Sequence, residues 1–262
     1  MQNLKERPAV HQARRAVRQS LLVDRRLGYA VNEFRRVSDV RTYRMRASNR
    51  VVCLRHGISS WPFEEIFRGL VYEPPPAIAR ALEGISSVLD LGGHDGHFGA
   101  GALDRHPHAR IIAYEPDPTS AKAHEHCIRR NHAAGRWSLI RAIASTHGGE
   151  RAFVALGTGW SHIAAAEERD AVVLPEQDVL ARVQEAGFVK MDIEGGEWPI
   201  LHDPRLGDGR TRAVALEYHP HMCPGSVPRE EADRLLRKAG FEVIDPDQSD
   251  EQFPPGQGML WA

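Results

Sequence analysis

A glycine-rich turn between an apolar run and a predicted helix constrains the fold of this chain more than any other feature. The turn follows the run 88–91 and reads Gly92-Gly93-His94-Asp95-Gly96. A second apolar run, 111–114, ends in Glu115, nineteen residues after Gly96. In α/β proteins such a turn lets a ligand lie against backbone, and a carboxylate that closes the next strand binds a ribose diol. The pattern predicts a nucleoside-binding site at the carboxyl edge of a parallel sheet.

The spacing of the glycines excludes two common phosphate-binding loops. It differs from the Gly-x-Gly-x-x-Gly of dinucleotide-binding domains, and no Lys-Ser or Lys-Thr pair follows it, as a P-loop would require. The turn therefore suits a ligand that carries a nucleoside but no pyrophosphate. S-adenosylmethionine is the ligand that we expect.

Apolar runs alternate with helix-like segments over most of the chain. The pattern predicts strands at 87–91, 110–114, 137–142, 187–193, 213–218, 241–244 and 259–261, with helices at 118–133 and 229–239. Such alternation is typical of a mostly parallel, Rossmann-like sheet with helices on both faces. Ligands bind beyond the carboxyl ends of these strands. Gly92, Glu115, Asp192 and His219 all stand at strand ends and are the first candidate site residues.

The part of the chain before this alternation has its own organisation. Its patterns predict a helical arm over 8–37 that Gly28 breaks, a hairpin over 41–55 that turns at Ser48-Asn49, and a helix over 62–67. A proline run at 74–76 then marks a boundary. We therefore divide the chain into an N-terminal helical arm and β-hairpin cap, 1–75, and an S-adenosylmethionine-binding domain, 76–262.

The first 60 residues are strongly basic, whereas the rest of the chain is acidic. They contain 14 Lys and Arg against 4 Asp and Glu, and the remainder contains 20 against 31. Such an arm can bind nucleic acid, an acidic carrier protein or the acidic body of its own chain. Nucleic acid is disfavoured, because no aromatic residues interleave the basic stretch. We expect a cap over the acceptor side of the site, or a contact in a homodimer.

Composition is that of an ordinary globular enzyme. Hydrophobic residues make up 42% and charged residues 26% of the chain. No apolar run approaches the roughly 20 residues of a membrane-spanning helix, and the first residues lack the apolar segment of a signal peptide. Cys53, Cys127 and Cys223 are odd in number and share no metal-ligand spacing. We expect a cytoplasmic protein without a membrane partner, a disulfide framework or a zinc site.

Several motifs, in the expected order, resemble the FkbM family of S-adenosylmethionine-dependent methyltransferases over about residues 50–262. They are Asp90-Leu91-Gly92-Gly93-His94-Asp95-Gly96, Glu115-Pro116, Lys190-Met191-Asp192-Ile193-Glu194-Gly195-Gly196-Glu197, Leu216-Glu217-Tyr218-His219 and Gly240-Phe241-Glu242-Val243. Two positions depart from the family. Gly93-His94 stands where the family usually has Ala-Asn, and Ser59-Ser60 where it often has an aspartate. The resemblance implies a class I methyltransferase sheet.

The resemblance also implies a methyl-donor site at the strand ends. Backbone at Gly92 and Gly93 would approach the amino-acid portion of the donor, where a side chain would collide. Glu115 would accept both ribose hydroxyls, and residues after the third strand would face the adenine. The predicted donor-binding residues are Asp90, Gly92, Gly93, Asp95, Gly96, Phe98, Glu115, Pro116, Ala142, Ile143 and Asp192.

Methyl transfer to a hydroxyl calls for a general base, because the acceptor loses a proton as the bond forms. His219 is the first candidate, since its unperturbed pKa of about 6.5 suits the task. Asp192 is the second, and Glu217 and Glu194 would orient the base or the acceptor. Alternatively, His219 merely ends a strand, and Glu194 and Glu197 cap the start of a helix.

The acceptor is less well defined than the donor. The resemblance favours O-methylation of a hydroxyl on a sugar or secondary metabolite, free or bound to a carrier protein. N-methylation is the alternative within the enzyme class, and a non-catalytic donor-binding scaffold is the alternative outside it. Asp192 and His219 at two strand ends argue against a scaffold. With Glu194 they could also bind a divalent cation that acidifies the hydroxyl, but we predict no metal.

Overall fold

The structure is a computed structural model that describes residues 8–69, 71–165, 168, 170–246 and 253–262. Its helices are α1 (Pro8–Ser20), α2 (Arg26–Phe34), α3 (Ser60–Glu64), α4 (Pro76–Ala81), α5 (His97–Arg105), α6 (Pro118–Arg130), α7 (Leu180–Glu185), α8 (Glu197–His202) and α9 (Pro228–Lys238). Its strands are β1 (Arg41–Arg44), β2 (Val51–Leu54), β3 (Ser87–Leu91), β4 (Arg110–Tyr114), β5 (Trp137–Ile140), β6 (Ile143–Ser145), β7 (Gly149–Val154), β8 (His162–Ile163), β9 (Val172–Asp178), β10 (Phe188–Met191), β11 (Ala213–Tyr218) and β12 (Gly258–Trp261).

The central sheet is mostly parallel, as predicted. Within the described residues its strand order is β12-β11-β10-β3-β4-β5. The inner strands pair in parallel, and β12 runs antiparallel to β11. The chain leaves β3 toward β4 and later returns to β10 on the other side of β3. The carboxyl ends of β3 and β10 therefore flank the switch point at which such sheets bind ligands.

Helices cover both faces of this sheet. Val88 of β3 belongs to a core cluster that includes residues of α4, α5 and α6. Its neighbour Leu89 belongs to a second cluster with residues of α7, α8 and α9. Successive strand residues point to opposite faces, so both faces of β3 are buried. This two-sided burial is why the inner strands read as continuous apolar runs.

The N-terminal cap consists of α1, α2, the hairpin β1-β2 and α3. The hairpin is confirmed, with Arg41 opposite Leu54. The predicted break at Gly28 is wrong, because Gly28 lies inside α2 and the helices separate at 21–25. The buried Val23 pairs with Met45 across an isolated bridge there, which requires extended backbone. The helix predicted at 62–67 begins as α3 and continues as a π-helical turn.

One apolar core crosses the boundary that the proline run predicts. Tyr29, Val52 and Phe63 of the cap share a cluster with Ile111 and Trp137 of the central sheet. The cap is therefore packed onto the sheet and is not tethered beside it. The functional division at 75 stays a prediction.

The segment of the chain between β5 and α7 forms a second sheet, which was not predicted. Its strand order is β6-β9-β7-β8, and much of β7 and β9 is exposed.

The strand predicted at 241–244 is wrong, since only an isolated bridge joins Ile244 to Trp261. Among the described residues, no helix combines the length and apolarity that crossing a bilayer demands.

Candidate functional site

A cavity of about 470 Å³ opens at the carboxyl edge of the central sheet. The ends of four neighbouring strands contribute to it through Gly92, Glu115, Asp192 and Glu217. Further lining residues come from the cap, the second sheet and the segment before β12: Trp61, Glu65, Tyr72, Phe153, Trp160, Ile163 and Gln257. The cavity thus lies at the predicted edge, and three peripheral segments enclose it.

Most of the residues predicted for the site meet in this cavity. Those that line it are Gly92, Gly93, Phe98, Glu115, Pro116, Ile143, Asp192, Glu194 and Glu217. The others are buried without lining it: Asp90, Asp95, Gly96, Ala142 and His219. Their contacts indicate supporting roles.

The glycine turn is required by contacts within the protein. Gly92 has φ +84°, and a Cβ built on it would lie 1.7 Å from the backbone oxygen of Asp192. A Cβ on Gly93 would lie 2.6 Å from the His124 ring. These contacts alone call for glycine at both positions, and the collision with the donor stays a prediction. The turn packs the end of β3 closely against the segment after β10.

Two backbone hydrogen bonds orient Glu115 at the cavity wall. His94 N donates to Oε2 and Asp117 N to Oε1, each at 2.8 Å. Burial raises the pKa of Glu115 to about 8, although these bonds favour the charged form. Each oxygen retains a lone pair for a further donor.

Asp95, a predicted donor-binding residue, is instead the partner of Arg55. The buried Arg55 guanidinium forms a bidentate salt bridge with it, with Nε 3.0 Å from Oδ2. Arg55 also donates to the backbone oxygen of Gly157 at 2.6 Å and to Ser120 Oγ at 3.0 Å. Burial opposes the charged carboxylate, but His94 and Arg55 hold the pKa of Asp95 below its ordinary value. Arg55 thereby joins the cap, the glycine turn and the second sheet.

Asp90 has a similar supporting contact with Lys190. Lys190 Nζ lies 3.5 Å from Asp90 Oδ1 and 3.2 Å from Asp192 Oδ2, and it donates to the Gly92 oxygen at 2.6 Å. Burial raises the pKa of Asp90 despite the nearby ammonium. For Asp192, burial is outweighed by Lys190 and His219, which lower its pKa. Lys190 thus anchors the turn and keeps Asp192 charged.

Glu217 lies in the cavity wall between two polar side chains. Tyr72 Oη is 3.0 Å from Glu217 Oε2 and 3.2 Å from Asp192 Oδ2. Gln257 Nε2 donates to Glu217 Oε1 at 2.5 Å. Burial and the charge of Asp192 raise the pKa of Glu217 to about 7, against the opposing effect of His219. Glu217 can therefore exchange a proton near neutral pH.

His219 is a buried imidazole close to four carboxylates. It is 3% exposed, and its Nδ1 lies 3.2 Å from Glu197 Oε1. Its Nε2 lies 3.5 Å from Glu194 and 3.8 Å from both Asp192 and Glu217. Burial disfavours the imidazolium, but the hydrogen bond and charge of Glu197 outweigh it and raise the pKa of His219 to about 10. This pKa favours the protonated ring at neutral pH, whereas the Gln257 side-chain nitrogen, which lies 3.0 Å from Nε2, would donate only to a neutral ring.

Glu197 accepts backbone hydrogen bonds as well as holding the imidazole. Its Oε2 accepts from Gly195 N at 2.8 Å, and its Oε1 accepts from His219 N at 2.7 Å. These donors lie before α8 and after β11, so the predicted capping of a helix start by Glu197 is not what the structure shows. Glu194 instead lines the cavity, with φ +52°.

The described residues include one group that could bind a metal ion. The ligand atoms of Asp192, Glu194 and His219 all lie within 4.8 Å of one another. The Lys190 ammonium, 3.2 Å from Asp192, would repel a divalent cation. The absence of a metal stays a prediction.

Several cavity residues were missed by sequence reasoning. Lys190 begins one of the motifs that resemble the FkbM family, so the sequence could have marked it as a candidate site residue. Trp160 and Gln257 belong to segments without a recognisable pattern. Tyr72 and Glu65 precede the proline run and reach the site only because the cap packs on the sheet.

Solved structures that resemble this one have low sequence identity to the chain. A putative transferase from Pyrococcus horikoshii is 14% identical, with a TM-score of 0.45 over 86% of this chain and 70% of that chain. TYW2 from P. horikoshii, in complex with MeSAdo, is 13% identical, with a TM-score of 0.43 and the same coverage. An O-methyltransferase family protein from Burkholderia thailandensis is 13% identical, with a TM-score of 0.42 over 75% and 55%. Similarities at this level assign neither substrate nor mechanism.

The sequence itself gives the decisive comparison. No curated protein matches the chain. The family model of the methyltransferase FkbM domain matches residues 90–243. That match spans more than half of the chain and includes the glycine turn, Glu115, Asp192 and Glu217. The chain therefore belongs to the FkbM family of S-adenosylmethionine-dependent methyltransferases.

Proposed function

We propose that this methyltransferase methylates a hydroxyl of a small molecule, with Glu217 as the general base. The main support for this proposal is that Glu217 lines the cavity and that burial raises its pKa to about 7. A general base is most effective when its pKa is close to the working pH. An amine attacks with its lone pair once its ammonium proton has left, whereas a hydroxyl must lose its proton as the new bond forms, so we take a base with this pKa to favour a hydroxyl acceptor.

The residues present fit S-adenosylmethionine. Glu115 is held at the cavity with a free lone pair on each oxygen, as a ribose diol requires. Ile143 and Ala144 add an apolar wall for a flat ring, and Gly92 and Gly93 line the same cavity. Bound there, S-adenosylmethionine supplies an electrophilic methyl group.

The protein would then position the acceptor and take up its proton. Glu217 accepts the hydroxyl proton, while Tyr72 and Gln257 keep the carboxylate in place. The imidazolium of His219, 3.8 Å from Glu217, favours its charged form. We thus assign His219 a positioning role, and its predicted role as the base remains the competing hypothesis.

The cap and the second sheet supply the acceptor side. Trp61 and Trp160 line the cavity and remain 52% and 64% exposed, respectively. Large exposed aromatic faces offer contact area for a ligand at little entropic cost. Their place supports a cap over the acceptor. A carrier protein or a second copy as partner stays a prediction.

The activity should depend on pH through Glu217. The base must be unprotonated, so kcat/KM should fall about tenfold per pH unit below about pH 7 and level off above it. The measurement is an initial-rate profile at saturating donor. A profile that instead climbs to about pH 10 would indicate His219 as the base.

Donor binding should depend on Glu115. Hydrogen bonds from the ribose hydroxyls favour the charged carboxylate, so replacing Glu115 with Ala should weaken binding by about 1.5–3 kcal/mol, or roughly 10- to 150-fold, the range for hydrogen bonds to a charged group. Calorimetry with S-adenosylhomocysteine measures this. Glu125→Ala, on the surface of α6, is the control. Equal affinity in the wild type and Glu115→Ala would remove Glu115 from the donor site.

The methylated atom can be read from the product. A mixture of hydroxylated small molecules, incubated with isotope-labelled donor, should yield products whose fragment masses place the label on oxygen. Label on nitrogen would replace O-methylation with the N-methylation alternative. Donor binding without transfer to any acceptor would favour the scaffold.

A further inference from the structure

The cavity is lined by more carboxylates than cations. Asp192, Glu217, Glu194 and Glu65 all line it. Lys190 is shared between Asp90 and Asp192. His219 contacts the cluster from behind and is itself held by Glu197. The cluster is therefore short of positive charge.

Glu65 is the carboxylate with the least electrostatic compensation. Its side chain accepts a hydrogen bond from the Trp61 indole, a neutral donor. Burial and the charges of Glu217 and Asp192 raise the pKa of Glu65 to about 9. Glu65 thus takes up a proton when no cation is close to it.

Aromatic side chains add an independent indication. The indoles of Trp61 and Trp160 line the same cavity, and both are largely exposed. Indole faces attract ammonium groups and are the best aromatic partners for them. Carboxylates and indoles around one cavity form a recognition surface for an organic cation. The donor brings one net positive charge, which still leaves carboxylates in excess of positive charges.

We propose that the acceptor is a hydroxylated amine, whose ammonium group binds at Glu65 and whose hydroxyl reaches Glu217. This inference rests on the proposed O-methylation and specifies its substrate class. The ammonium would replace the protons that the carboxylates otherwise take up. Its charge would also lower the pKa of Glu217 and increase the unprotonated fraction of the base.

Sinefungin is a suitable probe, because it carries an ammonium group where the donor carries its reactive methyl. S-adenosylhomocysteine is the neutral counterpart at that position. The wild type should bind sinefungin more tightly, and Glu65→Gln should reduce this preference about tenfold without changing the affinity for S-adenosylhomocysteine. Glu73→Gln, outside this cavity and paired with Arg105, should leave the preference unchanged.

Three results would contradict the proposal. One is an unchanged preference for sinefungin in Glu65→Gln. Another is loss of the preference on addition of Mg²⁺, which would make the cation a metal ion. The third comes from amino sugars paired with their N-acetyl forms: O-methylation of the amino sugars is expected, and faster turnover of the N-acetyl forms would overturn it. A label on nitrogen would overturn O-methylation instead, with the sinefungin result intact.

Discussion

Replacing Glu217 with Gln should slow methyl transfer by roughly 10²–10⁴-fold while sparing donor affinity. Glutamine retains the size of the side chain and an acceptor oxygen for the Gln257 amide. It cannot accept a proton, so the acceptor hydroxyl would have to react unassisted. Single-turnover rates at saturating donor measure the loss, and calorimetry with S-adenosylhomocysteine checks the donor site.

His219→Asn is the matched comparison. Loss of the imidazolium removes a charge that lowers the pKa of Glu217, so the pH profile should move to higher pH. A purely structural role would not shift that profile. The sequence-based assignment of His219 as the base would be restored if Glu217→Gln kept its turnover and His219→Asn lost it at every pH.

The inner sheet could be predicted from sequence because its strands are buried on both faces. β3, β4 and β11 have the bounds that the apolar runs predict. The second sheet could not be predicted, since residues of β7 and β9 are largely exposed and lack strict alternation. Sequence alone also located the site residues at the carboxyl ends of these strands, because each stands at the end of a recognisable apolar run.

The roles of charged residues were harder to predict than their positions. Asp90 and Asp95 stand in the glycine motif, and sequence alone cannot distinguish a ligand contact from an internal ion pair. Their partners, Lys190 and Arg55, are distant in the chain and meet them only in the fold. The charge of His219 likewise depends on carboxylates from separate segments. Such effects arise from tertiary packing.

Arg55 should contribute a large electrostatic term to stability, because both it and Asp95 are buried. Replacing it with Met leaves the buried Asp95 without its bidentate partner and with only the His94 ring nearby, and loss of such a partner typically costs about 3–5 kcal/mol. The free energy of unfolding should fall by that amount in urea titrations. The backbone oxygen of Gly157 would lose its partner as well, so the loop that carries Trp160 should loosen.

Two further variants separate this effect from loss of an ordinary surface arginine. Arg50 forms a salt bridge with Asp104 in which both side chains are partly exposed, so Arg50→Met should cost about 0–1 kcal/mol. Adding Asp95→Leu to Arg55→Met removes the unpaired carboxylate and should restore part of the lost free energy of unfolding. Equal losses for Arg50→Met and Arg55→Met would contradict the assignment. If the double variant were no more stable than Arg55→Met, the cost would come from the contacts of Arg55 with Gly157 and Ser120, since the buried charge would then be gone.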